Sequence, residues 1–162
     1  MKILFVVHGY KPAYRIGGPI LSVSALAEKL VEKGHEVTVF TTNSNQSEDL
    51  DIATDCAHII NGVEVWYFKR KQIGGKAFSF ITYFAKSIGY LYVPELKKNL
   101  KRLLPDIDVV HTHLPFIYPT FIAGKLSKLY SKPLFYHQRG VLDPERLNFR
   151  EFKKKWYIKL VE

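Results

Sequence analysis

Lys2 to Val7 is apolar from its second residue onward and short, the pattern of a parallel strand buried on both faces. From Ile20 to Lys33 the apolar positions Ile20, Val23, Ala27, Leu30 and Val31 recur at helical spacing, and Gly34 stands where a C′ residue ends a helix. Val37 to Thr42 is a second short apolar and β-branched run, so residues 2–42 predict one right-handed βαβ unit. The loop from His8 to Pro19 leaves the carboxyl end of the first strand and closes on Gly17-Gly18 just before the helix. Glycines there let backbone N–H groups at the positive end of a helix dipole approach an anion closely.

The alternation of elements continues. Asn61-Gly62 between apolar residues predicts a hairpin, with Val63 to Phe68 as its second strand. Phe78 to Tyr92 and Pro94 to Leu104 read as one interrupted or two consecutive helices, with Pro94 in a first turn and Pro105 closing the second. A β-branched run from Asp108 to Thr112, a helical pattern from about Pro115 to Tyr130, a strand from Pro133 to His137 and a helix from Glu145 to Glu162 complete the order. Strands alternating with helices predict an α/β fold, a doubly wound and mostly parallel Rossmann-like sheet with helices on both faces. The last helix has no breaker or strand after it, so residues 1–162 read as one domain that is truncated.

Composition narrows the classes. The chain has 162 residues, enough for one core, and its lone cysteine, Cys56, excludes an internal disulfide and fits a reducing, cytoplasmic setting. The apolar run after Lys2 is too short for a secretory signal, and Phe78 to Val93, broken by Lys86, falls short of a membrane span. A net charge of +9 calls for an anionic partner. Much of it lies in Lys69 to Lys76, Lys97 to Arg102 and Lys153 to Lys159, and the aromatics from Phe78 to Tyr92 next to Lys97, Lys98, Lys101 and Arg102 would suit the inner face of an anionic membrane. The competing reading buries most of those aromatics in the core, because their pattern lacks a clean apolar face. No helix-turn-helix, zinc or RNA-binding pattern accompanies the charge, so nucleic acid is not the expected partner.

Three places at the predicted carboxyl edge of the sheet can carry chemistry. Gly17-Gly18 lacks the G-x-G-x-x-G spacing and reads as an anion site or as a plain helix-starting turn. His111 and His113 share one strand face by alternation, where an imidazole can contact a ligand oxygen. No third Cys, His or carboxylate stands at ligand spacing beside them, so a metal is not expected. No cofactor is expected either. Arg139, before Gly140, offers a planar fork for phosphate or carboxylate, or is an ordinary surface arginine. Gly74-Gly75-Lys76 lacks the spaced first glycine and the hydroxyl residue of a P-loop.

The strand Lys2 to Val7, the Gly17-Gly18 loop, the helix ending in Leu30-Val31-Glu32-Lys33-Gly34-His35-Glu36-Val37, the Asn61-Gly62-Val63 turn and Asp108-Val109-Val110-His111-Thr112-His113 occur in this order. Together they resemble the amino-terminal domain of family 4 retaining glycosyltransferases, and Arg139 to Pro144 is similar to a segment of a subset of that family. The resemblance implies the acceptor-side half of a GT-B fold, with a nucleotide-sugar as donor substrate and a glycan or lipid-linked acceptor. Gly17 and Gly18 would then approach the donor diphosphate, His113 would face the transferred sugar, and Arg139 and His111 would contact acceptor or phosphate. The family's nucleotide-sugar domain, with its two glutamates separated by seven intervening residues, does not follow within residues 1–162. Glu28 and Glu36 share that spacing but fall on a helix and on a strand. Residues 1–162 alone are therefore expected not to turn over. A sugar-nucleotide epimerase of similar architecture would share the first βαβ unit but fits His113 and Arg139 less well.

Overall fold

The structure, a computed structural model, describes residues 1–46, 48–71, 92–115 and 117–140. Its strands are Lys2–Val6 (β1), Glu36–Thr42 (β2), Ser44–Asn45 (β3), Glu48–Asp49 (β4), Ala57–Ile60 (β5), Val63–Phe68 (β6), Val109–His113 (β7) and Leu134–His137 (β8). Its helices are Gly18–Glu32 (α1), Pro94–Leu103 (α2) and Tyr118–Leu129 (α3). The expected helices over Phe78 to Tyr92 and Glu145 to Glu162, and the Gly74-Gly75-Lys76 segment, lie outside the described residues, Tyr92 excepted.

Six strands form one sheet in the order β5-β6-β2-β1-β7-β8, and only the β5–β6 pair is antiparallel. Doubly wound α/β architecture with a mostly parallel sheet is thus the fold. The central strand is buried from Ile3 to Val6, because both of its faces are covered. On one face Ile3, Phe5, Val37, Val39, Val63 and Val65 pack with Val23 and Ala27 of α1. On the other, Leu4, Val6, Phe40 and Val110 pack with Leu96 and Leu100 of α2 and Ile122, Ala123 and Leu126 of α3. Right-handed crossovers produce this split, since β1 steps to β2 in one direction along the sheet and β7 steps to β8 in the other.

Local chemistry sets the ends of the elements. Gly34 has φ 83°, its N–H donates to the Val31 carbonyl at 2.9 Å, and the His35 N–H reaches back to Leu30 at 3.1 Å. That pair of bonds is a Schellman ending, and it turns the chain straight into β2. Pro94 occupies the first turn of α2, which passes through a short 3-10 turn, Leu104–Asp106, that includes Pro105. Asn61 and Gly62, at φ 50° and 79°, make the β5–β6 turn with both central residues at positive φ, as a type I′ hairpin requires. A Cβ on Gly62 would also lie 2.9 Å from Val31 Cγ1. Gly62→Ala is therefore expected to cost about 1–3 kcal/mol, read as a lowered urea midpoint with an unchanged m-value. An unchanged midpoint would remove this account of the turn.

One element went unforeseen. The two-residue strands β3 and β4 form a small antiparallel hairpin beside the main sheet. It is held by Arg70, 7% exposed, whose Nε donates to Asp49 Oδ1 at 2.5 Å and whose Nη1 donates to the Gln46 carbonyl at 3.2 Å. Period-2 patterning cannot report strands this short.

Candidate functional site

Four of the six histidines belong to the last residue of a strand, the residues just past it, or a position within it along the three adjacent strands β1, β7 and β8. Register brings three of them together: Phe5 lies opposite His111, His111 opposite Phe135, and His113 opposite His137. Alternation puts Val109, His111 and His113 on one face of β7, the face that α1 covers at Val109. Past Val109 that face changes from aliphatic to imidazole. Phe5 stacks on His111 and His113 at centroid distances of 4.8 and 5.9 Å, and His137 stacks almost parallel on His113 at 4.4 Å and 3°. His111 Nδ1 and His137 Nε2 are hydrogen-bonded at 3.3 Å.

His113 is buried, at 1% exposure, and its Nε2 has no hydrogen-bond partner among the described residues. Its Nδ1 receives Nε and Nη2 of Arg139 at 3.2 and 3.0 Å. Arg139 is thus aimed at the histidine predicted to be its neighbour in function, with part of its fork already engaged. The two strand ends that carry this pair both turn through left-handed backbone at residues with side chains, Leu114 at φ 66° and Arg139 at φ 53°, the latter followed by Gly140 at 71°. Such conformations cost free energy and persist only where the surroundings enforce them. Here Leu114 N–H donates to the His137 carbonyl at 3.1 Å, and the Thr120 hydroxyl is within reach of the Leu114 and His113 carbonyls at 2.8 and 3.2 Å.

Burial and the neighbouring positive charges keep these imidazoles neutral. His113 is pushed down to about 3, first by desolvation and then by His137, Arg139, His111 and His8. His8 falls to about 4 through burial alone, and His111 and His137 are also lowered, mainly by desolvation. The cluster therefore offers neutral imidazole and one guanidinium, a set suited to hydrogen-bonding oxygen. Among the described residues no group of three His, Cys, Asp or Glu side chains is placed to hold a metal ion.

The glycine loop approaches the same edge. Gly17, at φ 97°, is the N-cap of α1, Gly18 opens the helix, and Pro19 follows. Gly17 N–H is spent on the Tyr14 carbonyl at 3.0 Å, and nothing lies within 4 Å of where a Cβ would stand on Gly17 or Gly18. Side-chain contacts anchor the loop, among them Lys11 Nζ to Glu28 Oε1 of α1 at 2.6 Å, Arg15 N–H to Asn45 Oδ1 at 3.1 Å, Arg15 to the Glu48 carboxylate, and the Tyr67 hydroxyl donating to the Lys11 carbonyl. The unforeseen β3–β4 hairpin is therefore the loop's outer support. Glu28 is occupied by Lys11, while Glu36 opens β2 opposite Lys2 at the amino edge. Those two carboxylates do not face one ligand.

Two residues of the site escaped the sequence reading. His8 follows β1 directly, and its carbonyl accepts the Thr42 hydroxyl at 2.6 Å. Gly9 packs under the loop, where a Cβ would lie 2.3 Å from the end of the Ile16 side chain, one residue before Gly17. The signal available was position alone, a histidine and a glycine at the carboxyl end of the first strand. Of the cationic and aromatic residues weighed for a membrane surface, Lys97, Lys98 and Lys101 are exposed, Arg102 lies over the Trp66 ring at 5.8 Å, and Tyr92 packs edge-on against Tyr118 at 5.0 Å. Phe78, Phe80, Tyr83, Phe84 and Tyr90 lie outside the described residues. No helix among the described residues is long and apolar enough to cross a membrane.

Comparison with known proteins adds to this geometry. The model of a family described as Glycosyltransferase Family 4 matches residues 16–162. An "Uncharacterized 42.6 kDa protein in cps region" of Klebsiella pneumoniae is 33% identical over 119 residues, which cover 70% of this chain and 30% of that protein. The chain thus spans less than a third of that relative's length.

Proposed function

Because the chain belongs to glycosyltransferase family 4, we propose that it is the acceptor-side, amino-terminal half of a retaining GT-B enzyme that moves a sugar from a nucleotide-sugar to a glycan or lipid-linked acceptor in polysaccharide assembly. The relative from a cps region supports the polysaccharide setting. The observation that carries the reading is His113, buried and neutral at the carboxyl edge, with an Nε2 that finds no partner within the described residues. In this reading that nitrogen meets a hydroxyl of the transferred sugar and polarises it. The Gly17-Gly18 opening of α1 receives the donor diphosphate, where the helix dipole and the lack of side chains favour it. Arg139 and His111 border the acceptor or phosphate. The protein's part is positioning and charge stabilisation, with the departing phosphate taking the acceptor proton. The donor is held chiefly by a second domain outside residues 1–162, and these residues alone do not turn over.

Gly18→Ala separates this reading from a purely structural glycine. Gly18 is helical and has open space where a Cβ would stand, so alanine should leave stability unchanged or raise it by about 0.4–1 kcal/mol. In a transfer assay on the complete gene product with a panel of nucleoside-diphosphate sugars, the same variant should lose roughly tenfold or more in kcat/KM. Absence of transfer from every donor would defeat the enzymatic reading. Transfer that is unaffected by both Gly18→Ala and His113→Ala would defeat the site.

A further inference from the structure

We propose that Arg139 is a positioning residue that holds His113 as the neutral imidazole protonated on Nε2, so that the site presents a fixed hydrogen-bond donor to an incoming ligand oxygen. A guanidinium has donors only. Its Nε and Nη2 both converge on His113 Nδ1, at 3.2 and 3.0 Å, so that nitrogen must be the acceptor and carries no proton. A neutral ring then has its proton on Nε2, the atom left without a partner among the described residues. Buried donors with no partner are rare in folded proteins, and this one lies where two strand ends are bent into left-handed backbone around it.

The ring has little freedom to exchange its nitrogens. His137 stacks flat on it at 4.4 Å and Phe5 lies 5.9 Å away, both within 20° of parallel. His137 uses its own Nε2 on His111 Nδ1, which keeps those two rings in place as neighbours. The groups acting electrostatically on His113 are His137, Arg139, His111 and His8, with no carboxylate among them. Nothing in the described structure therefore draws a second proton onto the ring. The ligand atom that suits a neutral Nε2–H beside a guanidinium is an oxygen with a free lone pair, from a sugar hydroxyl or a phosphate. Which of these it meets rests on the function proposed above, whereas the tautomer does not.

The test is a long-range proton–nitrogen correlation spectrum of the 15N-labelled chain at neutral pH, with His113 assigned by comparison with His113→Asn. The expected result is a pyridine-type signal for Nδ1 and a pyrrole-type signal for Nε2. Once His113 is assigned, a protonated Nδ1, or an imidazolium, overturns the proposal from the wild-type spectrum, whether or not Arg139→Ala folds. Arg139→Ala should move both nitrogens toward the averaged positions of a free imidazole and bring the ring's titration up toward the ordinary histidine range. An unchanged Arg139→Ala spectrum would equally overturn it. Because no substrate is needed, a correct tautomer in a protein that transfers no sugar counts against the proposed function only, and a wrong tautomer in an active enzyme counts against this inference only.

Discussion

Phe5→Ala is expected to destabilise the chain by about 3–5 kcal/mol, the cost of truncating a fully buried phenylalanine. Against a total stability of roughly 5–15 kcal/mol for a domain of this size, that is a large part of the whole. The effect has two components. Phe5 sits on the central strand within the cluster that joins the sheet to α1, so its removal opens a cavity that the paired strands on either side cannot close. Its ring is also the floor under His111 and His113. Urea unfolding followed by far-ultraviolet circular dichroism measures the first component, and histidine proton resonances in the variant measure the second. Phe5→Leu, which keeps most of the volume but not the flat ring, should recover much of the stability while still shifting those resonances. A loss below about 1 kcal/mol for the alanine variant would show that Phe5 is not the buried hinge between core and site.

The second large effect concerns acid. His8 and His113 titrate in the folded chain near 4 and 3, against an ordinary value of 6.5. Between those limits the unfolded chain binds protons that the folded chain refuses, so stability rises with pH and is lost as pH falls. Each such group contributes about 1.4 kcal/mol per pH unit, and the pair roughly 3 kcal/mol per unit from just below 6.5 down to about 4. Unfolding free energies measured from pH 7 to pH 4.5 should therefore drop steeply, before most carboxylates are protonated. His8→Gln should make the slope shallower, with His113, His111 and His137 still contributing to it. A stability that stays flat across this interval would mean that the imidazoles are not buried in their neutral form.

Much of the architecture was legible in the residues because it depends on local pattern. The apolar run of Lys2 to Val7, the spacing of Ile20, Val23 and Ala27, the stop at Gly34 and the turn at Asn61-Gly62 each act through neighbours in sequence, and each appears where expected within a residue or two. The β7 strand lies one residue later than expected, Val109 to His113, which places His113 inside the ladder rather than past it. The β3–β4 hairpin was illegible because its strands exist through Arg70, Asp49 and Asn43, contacts made between residues about 20 to 30 positions apart and not through any periodicity. The candidate site divides in the same way. Alternation put His111 and His113 on one face, but it could not show that Arg139, just past the end of the adjacent strand β8, would reach back to His113. Nor could it show that His8 would join them.

The order of strands across the sheet also fixes an order in time. Ile3 has Val37 on one side and Val109 on the other, so the first strand can take one neighbour as soon as residues 36–42 exist and must wait for the other until residue 109 has been made. At synthesis rates of about 5–20 residues per second, that wait lasts several seconds or more. The histidine–arginine pair cannot form until residue 139 has emerged, after every other strand of the sheet is available. A nascent chain halted before β8 would hold a largely complete core with an unassembled site, and the edge it left open along β7 would be the one most prone to pairing with another chain.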